Sequence, residues 1–402
     1  MMNHSGGRTA ITGIGVSAPN GRGREAFFRS CSDGAAGIGE CGLFSAEKLS
    51  TRHFGEIRGD FPPASSPPVG DTRLKALIRE ALAEAMSDGG LDSEQIAALG
   101  TRAWLCFGTL LAATDPIMEY SAAKRSGRTL HGYLENVNDY LPFIRELCGV
   151  GGASFVSSAA CAAGTTAAGM AYDFIKNGMC SLCVVGGADP LTKAAAYGFH
   201  ALKLLSGGVC NPFDEFRDGI SIGEGAAFFI FEEHEAALSR GARIYAEVKG
   251  YGLSNDAYHI TSPDPDGLGV VHAMREALRE AGLAAGDVSH VNAHGTGTPI
   301  NDQVELQAIE KLYGSAKKPS LTSTKALVGH CMGAAGALDL AALVMEVKNQ
   351  AYMPLPNLTN PIGTDCFISS AAHPREINFG FSNSYAFAGN IASLLVGRMI
   401  DE

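Results

Sequence analysis

Apolar residues along the chain gather into two kinds of segment, separated by turns rich in glycine and proline. One kind is a nearly continuous apolar run, the pattern of a strand buried on both faces. Thr9 to Val16, Trp104 to Leu111, Ala153 to Ser157, Leu182 to Gly186 and Ala226 to Phe231 read this way. So do Ile244 to Tyr251, Val288 to Asn292, Ile377 to Phe381 and Ile391 to Val396. The other kind repeats at helical spacing. In Asp71 to Met86, the residues Leu74, Ile78, Leu82 and Met86 fall on one stripe. Cys161 to Lys176, Val270 to Ala281 and Ala334 to Lys348 also have helical composition. Strands that alternate with helices predict an α/β class with largely parallel or mixed sheets. The polar stretch Phe231 to Gly241 is the natural seam, dividing residues 1–241 from 242–402. No sequence repeat relates the two halves. The proline-rich segments Phe61 to Val69 and Met353 to Pro361 read as surface loops.

Composition narrows the class. Of 402 residues, 46% are hydrophobic and 18% charged, so a large core can form and global disorder is excluded. The balance of 31 basic against 42 acidic residues gives a net charge of −11. Nucleic acid and anionic membrane are therefore poor bulk partners. No apolar run reaches the roughly 18 residues of a membrane span. The start, MMNHSGGRTAITGIG, lacks the basic and apolar segments of a signal peptide. A cytoplasmic protein with free thiols is the expectation. Cys180 and Cys183 form a CxxC, but no second pair stands at zinc-site spacing, so they read as structural thiols.

Several segments can carry chemistry. In Ser157-Ser158-Ala159-Ala160-Cys161-Ala162-Ala163-Gly164 a strand ends and a helix begins near a cysteine. A thiol there would feel the positive end of the helix dipole, which favours thiolate. The plain alternative is one more buried small residue. In Asn292-Ala293-His294-Gly295-Thr296-Gly297-Thr298 a strand runs into a turn that places an imidazole at its end. Open α/β folds put their sites there; a polar turn with a satisfied histidine is the alternative. Ser323-Thr324-Lys325 leads through an apolar run to Gly329-His330, and then to the small residues Gly333 to Gly336. Asn211 to Gly219 reads as a connector held by Arg–Asp pairing. Phe379 to Asn390 interleaves aromatic and small residues.

The order of these segments carries more than any one of them. A cysteine in a strand-to-helix turn precedes PFDEFRDG and GEGA, then HGTGT, then STKALVGHCMGAAG, then a glycine- and aromatic-rich loop. This series resembles the elongating β-ketoacyl-acyl-carrier-protein synthases and their polyketide relatives, over nearly the whole chain. The resemblance implies the thiolase fold: duplicated α/β halves in a five-layered α-β-α-β-α core. It implies Cys161 as nucleophile, with His294 and His330 donating to a malonyl thioester carbonyl. Lys325 would orient the site electrostatically and favour neutral imidazoles. Asp339 falls where the family usually has a glutamate, so its reach to Lys325 is in question. Thr296 and Thr298 match the hydroxyls that hold a phosphopantetheine arm. Backbone N–H groups of Cys161 and Phe387 would hold an oxyanion. No metal or other bound cofactor is expected; the carrier protein's phosphopantetheine serves as substrate tether.

The resemblance also implies an acyl-carrier protein as partner. It implies a homodimer, or a heterodimer with a chain-length-factor-like subunit, paired through a strand placed at Leu182 to Gly186. Two basic clusters are candidate docking sites: Arg73, Lys75 and Arg79, or Lys124, Arg125 and Arg128. The C-terminal loop departs from the family's usual GFGGTN. Here it reads Ala386-Phe387-Ala388-Gly389-Asn390-Ile391. This variant is closer to specialised ketosynthases, such as those making aryl polyenes, than to housekeeping elongation enzymes. A non-catalytic chain-length-factor subunit would lack Cys161.

Overall fold

The computed structural model describes residues 7–62, 72–128, 136–363, 366 and 368–399. Most of the loop expected at Phe61 to Val69 lies outside them. The N-terminal half contributes β1 (Thr9–Ala18), α1 (Arg73–Asp88), β2 (Ala103–Gly108), α2 (Thr114–Arg125), β3 (Ser154–Ser157) and α3 (Ala163–Lys176). It continues with β4 (Leu182–Asp189), α4 (Lys193–Ala201) and β5 (Gly225–Glu233). The C-terminal half follows with β6 (Ala246–Asn255), α5 (Leu268–Ala281), β7 (His290–Asn292), α6 (Pro299–Tyr313) and β8 (Ser320–Thr322). α7 (Ala335–Asn349), β9 (Phe379–Tyr385) and β10 (Asn390–Gly397) complete it.

These strands run side by side in the order β3-β2-β4-β5-β1, then β6-β10-β9-β7-β8. Read outward from the centre, the two halves have the same topology. In each, the first strand pairs antiparallel with the fifth, the fifth antiparallel with the fourth, and the remaining pairs are parallel. The halves join through three residues, Thr9 to Ile11 against Ala246 to Val248. The duplication that sequence comparison within the chain does not reveal is therefore present in the fold.

Layering follows from alternation. On β4, Leu182 and Val184 face one core, shared with α1; Cys183 and Val185 face another, shared with α3 and α7. β5 divides likewise, Phe228 and Ile230 against Phe229 and Phe231. A third core lies between the C-terminal strands and α5 and α6. α3 and α7 thus form the middle layer, packed between sheet faces of both halves. Their approach needs glycine: a Cβ on Gly336 would sit 2.1 Å from Thr165 Oγ1, and one on Gly164 would sit 2.7 Å from the Ala337 amide nitrogen.

Two expectations need correction. Leu182 to Gly186 is an interior strand, paired on both sides by β2 and β5, so it offers no edge to a partner. The edge on that side is β3. Arg73 is not a docking residue. It is buried, and its Nε lies 2.7 Å from the buried Glu224 carboxylate. No helix among the described residues is long and apolar enough to cross a membrane.

Candidate active site

β3 ends at Ser157, and a short 3₁₀ turn, Ala160–Ala162, carries Cys161 into α3. Ala160 takes a left-handed backbone, φ 48°. Met332, two residues after His330, has φ 50°, and Ala388, next to Phe387, has φ 62°. Such strained non-glycine residues concentrate at functional turns. Three of them here flank the proposed nucleophile, one histidine and the aromatic loop.

Cys161, His294, His330, Thr296, Thr298 and Phe387 line one cavity of about 300 Å³. The two imidazoles stand edge to face, with centroids 5.4 Å apart and planes at 86°. The Met332 amide donates to Nδ1 of His330 at 3.2 Å. That nitrogen must then carry a lone pair, which puts the proton on Nε2 and makes Nε2–H a donor. The hydroxyls of Thr296 and Thr298 lie 3.0 Å apart. The ring of Phe387 stacks on Phe199 at 5.7 Å.

Lys325 and Asp339 do not line the cavity. They lie beneath it, both buried, with Lys325 Nζ 2.7 Å from Asp339 Oδ2. The shorter carboxylate stem therefore still reaches the lysine. Burial pushes the His330 imidazole down to about 3, helped by the Lys325 charge. His294 is lowered well below the usual range by burial, then by Lys325 and His330. Both are neutral near pH 7. The cysteine differs from expectation. Burial pushes its thiol up to about 12, against the Lys325 charge. Desolvation of the thiolate outweighs the favourable field at the helix start.

Several supporting residues escaped the sequence reading. Glu305 of α6 accepts the amides of His294 and Gly295, each at 2.9 Å. Asp302, one turn earlier, accepts those of Phe213 and Gly297 at 2.8 and 3.2 Å. These carboxylates, three residues apart just after HGTGTP, hold the histidine turn from below. Their spacing on one helix face was the available signal. Arg217 reaches Asp302 at 3.8 Å, the pairing expected of the connector. Asp189, at the end of β4, accepts Thr109 Oγ1 at 2.6 Å and the Gly333 amide at 2.6 Å. It ties the half that carries Cys161 to the turn after His330.

A buried thiol, two neutral imidazoles and a buried lysine–carboxylate pair, set between duplicated α/β halves, define a thiolase-fold acyl-transfer enzyme. The chain belongs to the β-ketoacyl synthase family. The model of that family's N-terminal domain matches residues 7–237, and that of its C-terminal domain residues 245–359. The chain is 33% identical to 3-oxoacyl-acyl-carrier-protein synthase 2 of Vibrio cholerae, over 98% of this chain and 99% of the relative. Among solved structures it is similar to the ishigamide ketosynthase/chain length factor, with a TM-score of 0.89 and 30% identity, covering 98% of this chain and all of that one (100%). A type II PKS acyl-carrier protein in complex with its ketosynthase bound to the hexaketide gives a TM-score of 0.87 at 27% identity, over 98% and 100% of the two chains.

Proposed function

We propose that the chain catalyses a decarboxylative Claisen condensation on acyl-carrier-protein thioesters. The supporting observation is the meeting of Cys161, His294 and His330 at one cavity, with both imidazoles held neutral. Residues 1–241 supply the nucleophile and 242–402 both histidines. Cys161 attacks the acyl thioester, and its proton passes to the departing sulfur, so that the carrier leaves as a free thiol. A malonyl thioester then enters. Nε2–H of His330, with His294 beside it, donates to its carbonyl oxygen as the carboxylate departs as carbon dioxide. The enolate carbon attacks the acyl-cysteine, expels the thiolate, and yields a 3-ketoacyl thioester two carbons longer. Thr296 and Thr298 hold the phosphopantetheine arm, and the amides of Cys161 and Phe387 the oxyanion. Burial, with the charge of Lys325 fixed by Asp339 added to it, keeps both imidazoles neutral. The reaction calls for no metal or redox cofactor.

The partner is an acyl-carrier protein. The working unit is a dimer, with a second copy or a chain-length-factor-like subunit, in the cytoplasm. We place the enzyme in a specialised polyene or polyketide pathway because of its C-terminal loop. Ala388 keeps a left-handed backbone without glycine, and Ile391 is a buried apolar residue. The name of the Vibrio cholerae relative supports fatty-acid elongation as the second reading. Mass spectrometry after incubation with acyl-carrier protein tests the chemistry. An acyl adduct is expected on the parent enzyme and none on Cys161→Ala. A parent enzyme that takes no acyl group from any carrier would refute the reading. Relative rates with saturated and polyunsaturated acyl chains separate the two pathways.

A further inference from the structure

His294 is enclosed on two sides. Its ring meets His330 edge to face and also meets Tyr385, with ring centroids 5.4 Å apart and planes at 54°. Tyr385 is the last residue of β9, two positions before Phe387, and its ring forms part of the cavity wall. Its hydroxyl is buried and has no hydrogen-bond partner among the described residues. The same holds for Nδ1 of His294. Two touching rings thus each carry a buried polar atom that lacks a partner. Leaving such an atom unmet is costly, so each needs a partner in the working enzyme.

The contrast with His330 sharpens the point. There the Met332 amide fixes the tautomer by occupying Nδ1. For His294, the backbone amide is taken by Glu305 and no backbone donor reaches the ring nitrogen. A donor on Nδ1 is what would put the proton on Nε2. Tyr385 can supply it. Burial and the nearby Glu305 carboxylate hold its phenol protonated. Glu305 and Asn383 stand near the hydroxyl without a hydrogen bond of good geometry, and the Glu305 carboxylate is the competing acceptor for its proton.

We infer that Tyr385 is a positioning residue for His294: its O–H donates to Nδ1, directly or through one water, and so makes Nε2–H the donor that faces the thioester. This rests on the condensation reading given above. Direct and water-borne contact share one chemistry, a neutral donor at Nδ1.

Tyr385→Phe removes the oxygen and keeps the ring. Two measurements on the full-length enzyme test the inference. One is the nitrogen spectrum of ¹⁵N-histidine-labelled protein, with His294 assigned against His294→Asn. In the parent, Nδ1 should be unprotonated and Nε2 protonated; in Tyr385→Phe the signals should move toward a mixture of tautomers. The other is malonyl-carrier decarboxylation relative to Cys161 acylation. That ratio should fall about three- to tenfold, through kcat, as expected for one neutral hydrogen bond. Unchanged His294 shifts overturn the assignment whatever the rates do. Altered shifts with an unaltered ratio overturn its bearing on catalysis. If the parent enzyme does not decarboxylate malonyl thioesters, the functional reading fails, while the nitrogen shifts still test the contact itself.

Discussion

Burial moves the Cys161 thiol up and both imidazoles down, so all three reactive groups rest uncharged near neutral pH. For a histidine this has a cost on the acid side. Burial lowers the His330 pKa from the ordinary 6.5 of a free imidazole to about 3 on folding. Below about pH 6.5 the unfolded chain takes up a proton that the folded one refuses, so stability is lost as pH falls through that window and is unaffected above it. Between about pH 7 and 5 this amounts to about 1–2 kcal/mol. His330→Asn should therefore lose less stability than the parent over that interval, measured by urea denaturation at each pH. An equal loss in both proteins would show that the imidazole is not held neutral. Glu305 acts in the opposite sense: burial raises its carboxyl to about 7, so its ionisation costs stability as pH rises toward neutrality. At this scale the residues that meet at the cavity could be singled out in sequence, because each stands in a small-residue turn whose order matched a family. Glu305, Asp189 and Tyr385 were not. An acidic residue on a helix reads as a solvated face until the fold places a histidine turn above it.

Elements that bury both faces were the easiest to read from the chain. The apolar runs at β1, β4 and β5 stand out because every position is covered. α6 was missed because its buried positions include Asp302 and Glu305, which break the apolar stripe. α2 was missed for the opposite reason: Ile117, Met118 and Tyr120 are exposed on it. The loop after β9 shows a different limit. An alanine disfavours a left-handed backbone, yet Ala388 has φ 62°. Contacts with neighbouring chain segments hold it there. The Ala388 amide donates to the Ile260 carbonyl at 2.8 Å, and Asn255 Nδ2 donates to the Ala388 carbonyl at 2.8 Å. A side chain in this region of backbone space costs about 1–2 kcal/mol, partly offset by the added freedom glycine has when unfolded. Ala388→Gly should then stabilise the protein by about 1 kcal/mol in urea denaturation. A loss of stability would mean that the backbone there is not strained.

At the scale of the molecule, the same strand order is built twice from unrelated residues, because topology asks only that buried positions be apolar and turns permissive. That is why no repeat shows in the sequence. Net charge is the other whole-molecule property, and it bears on the partner. A protein of −11 repels acidic proteins at long range, so an acidic carrier must find a local cation where its arm enters. Lys203 is exposed in the turn after α4 and follows Leu202, which lines the cavity. Lys124, Arg125 and Arg128 are exposed at the end of α2, which packs on α4. Proximity to the cavity favours Lys203. Lys203→Glu should raise KM for acyl-carrier protein several-fold while leaving the rate with a free pantetheine thioester unchanged. The difference should shrink at high salt, as exposed charges are screened beyond about 10 Å at 0.1 M. A larger effect from reversing Lys124, Arg125 and Arg128 would move the docking site to the end of α2. Unchanged KM in both would mean that the carrier is held by contacts other than charge.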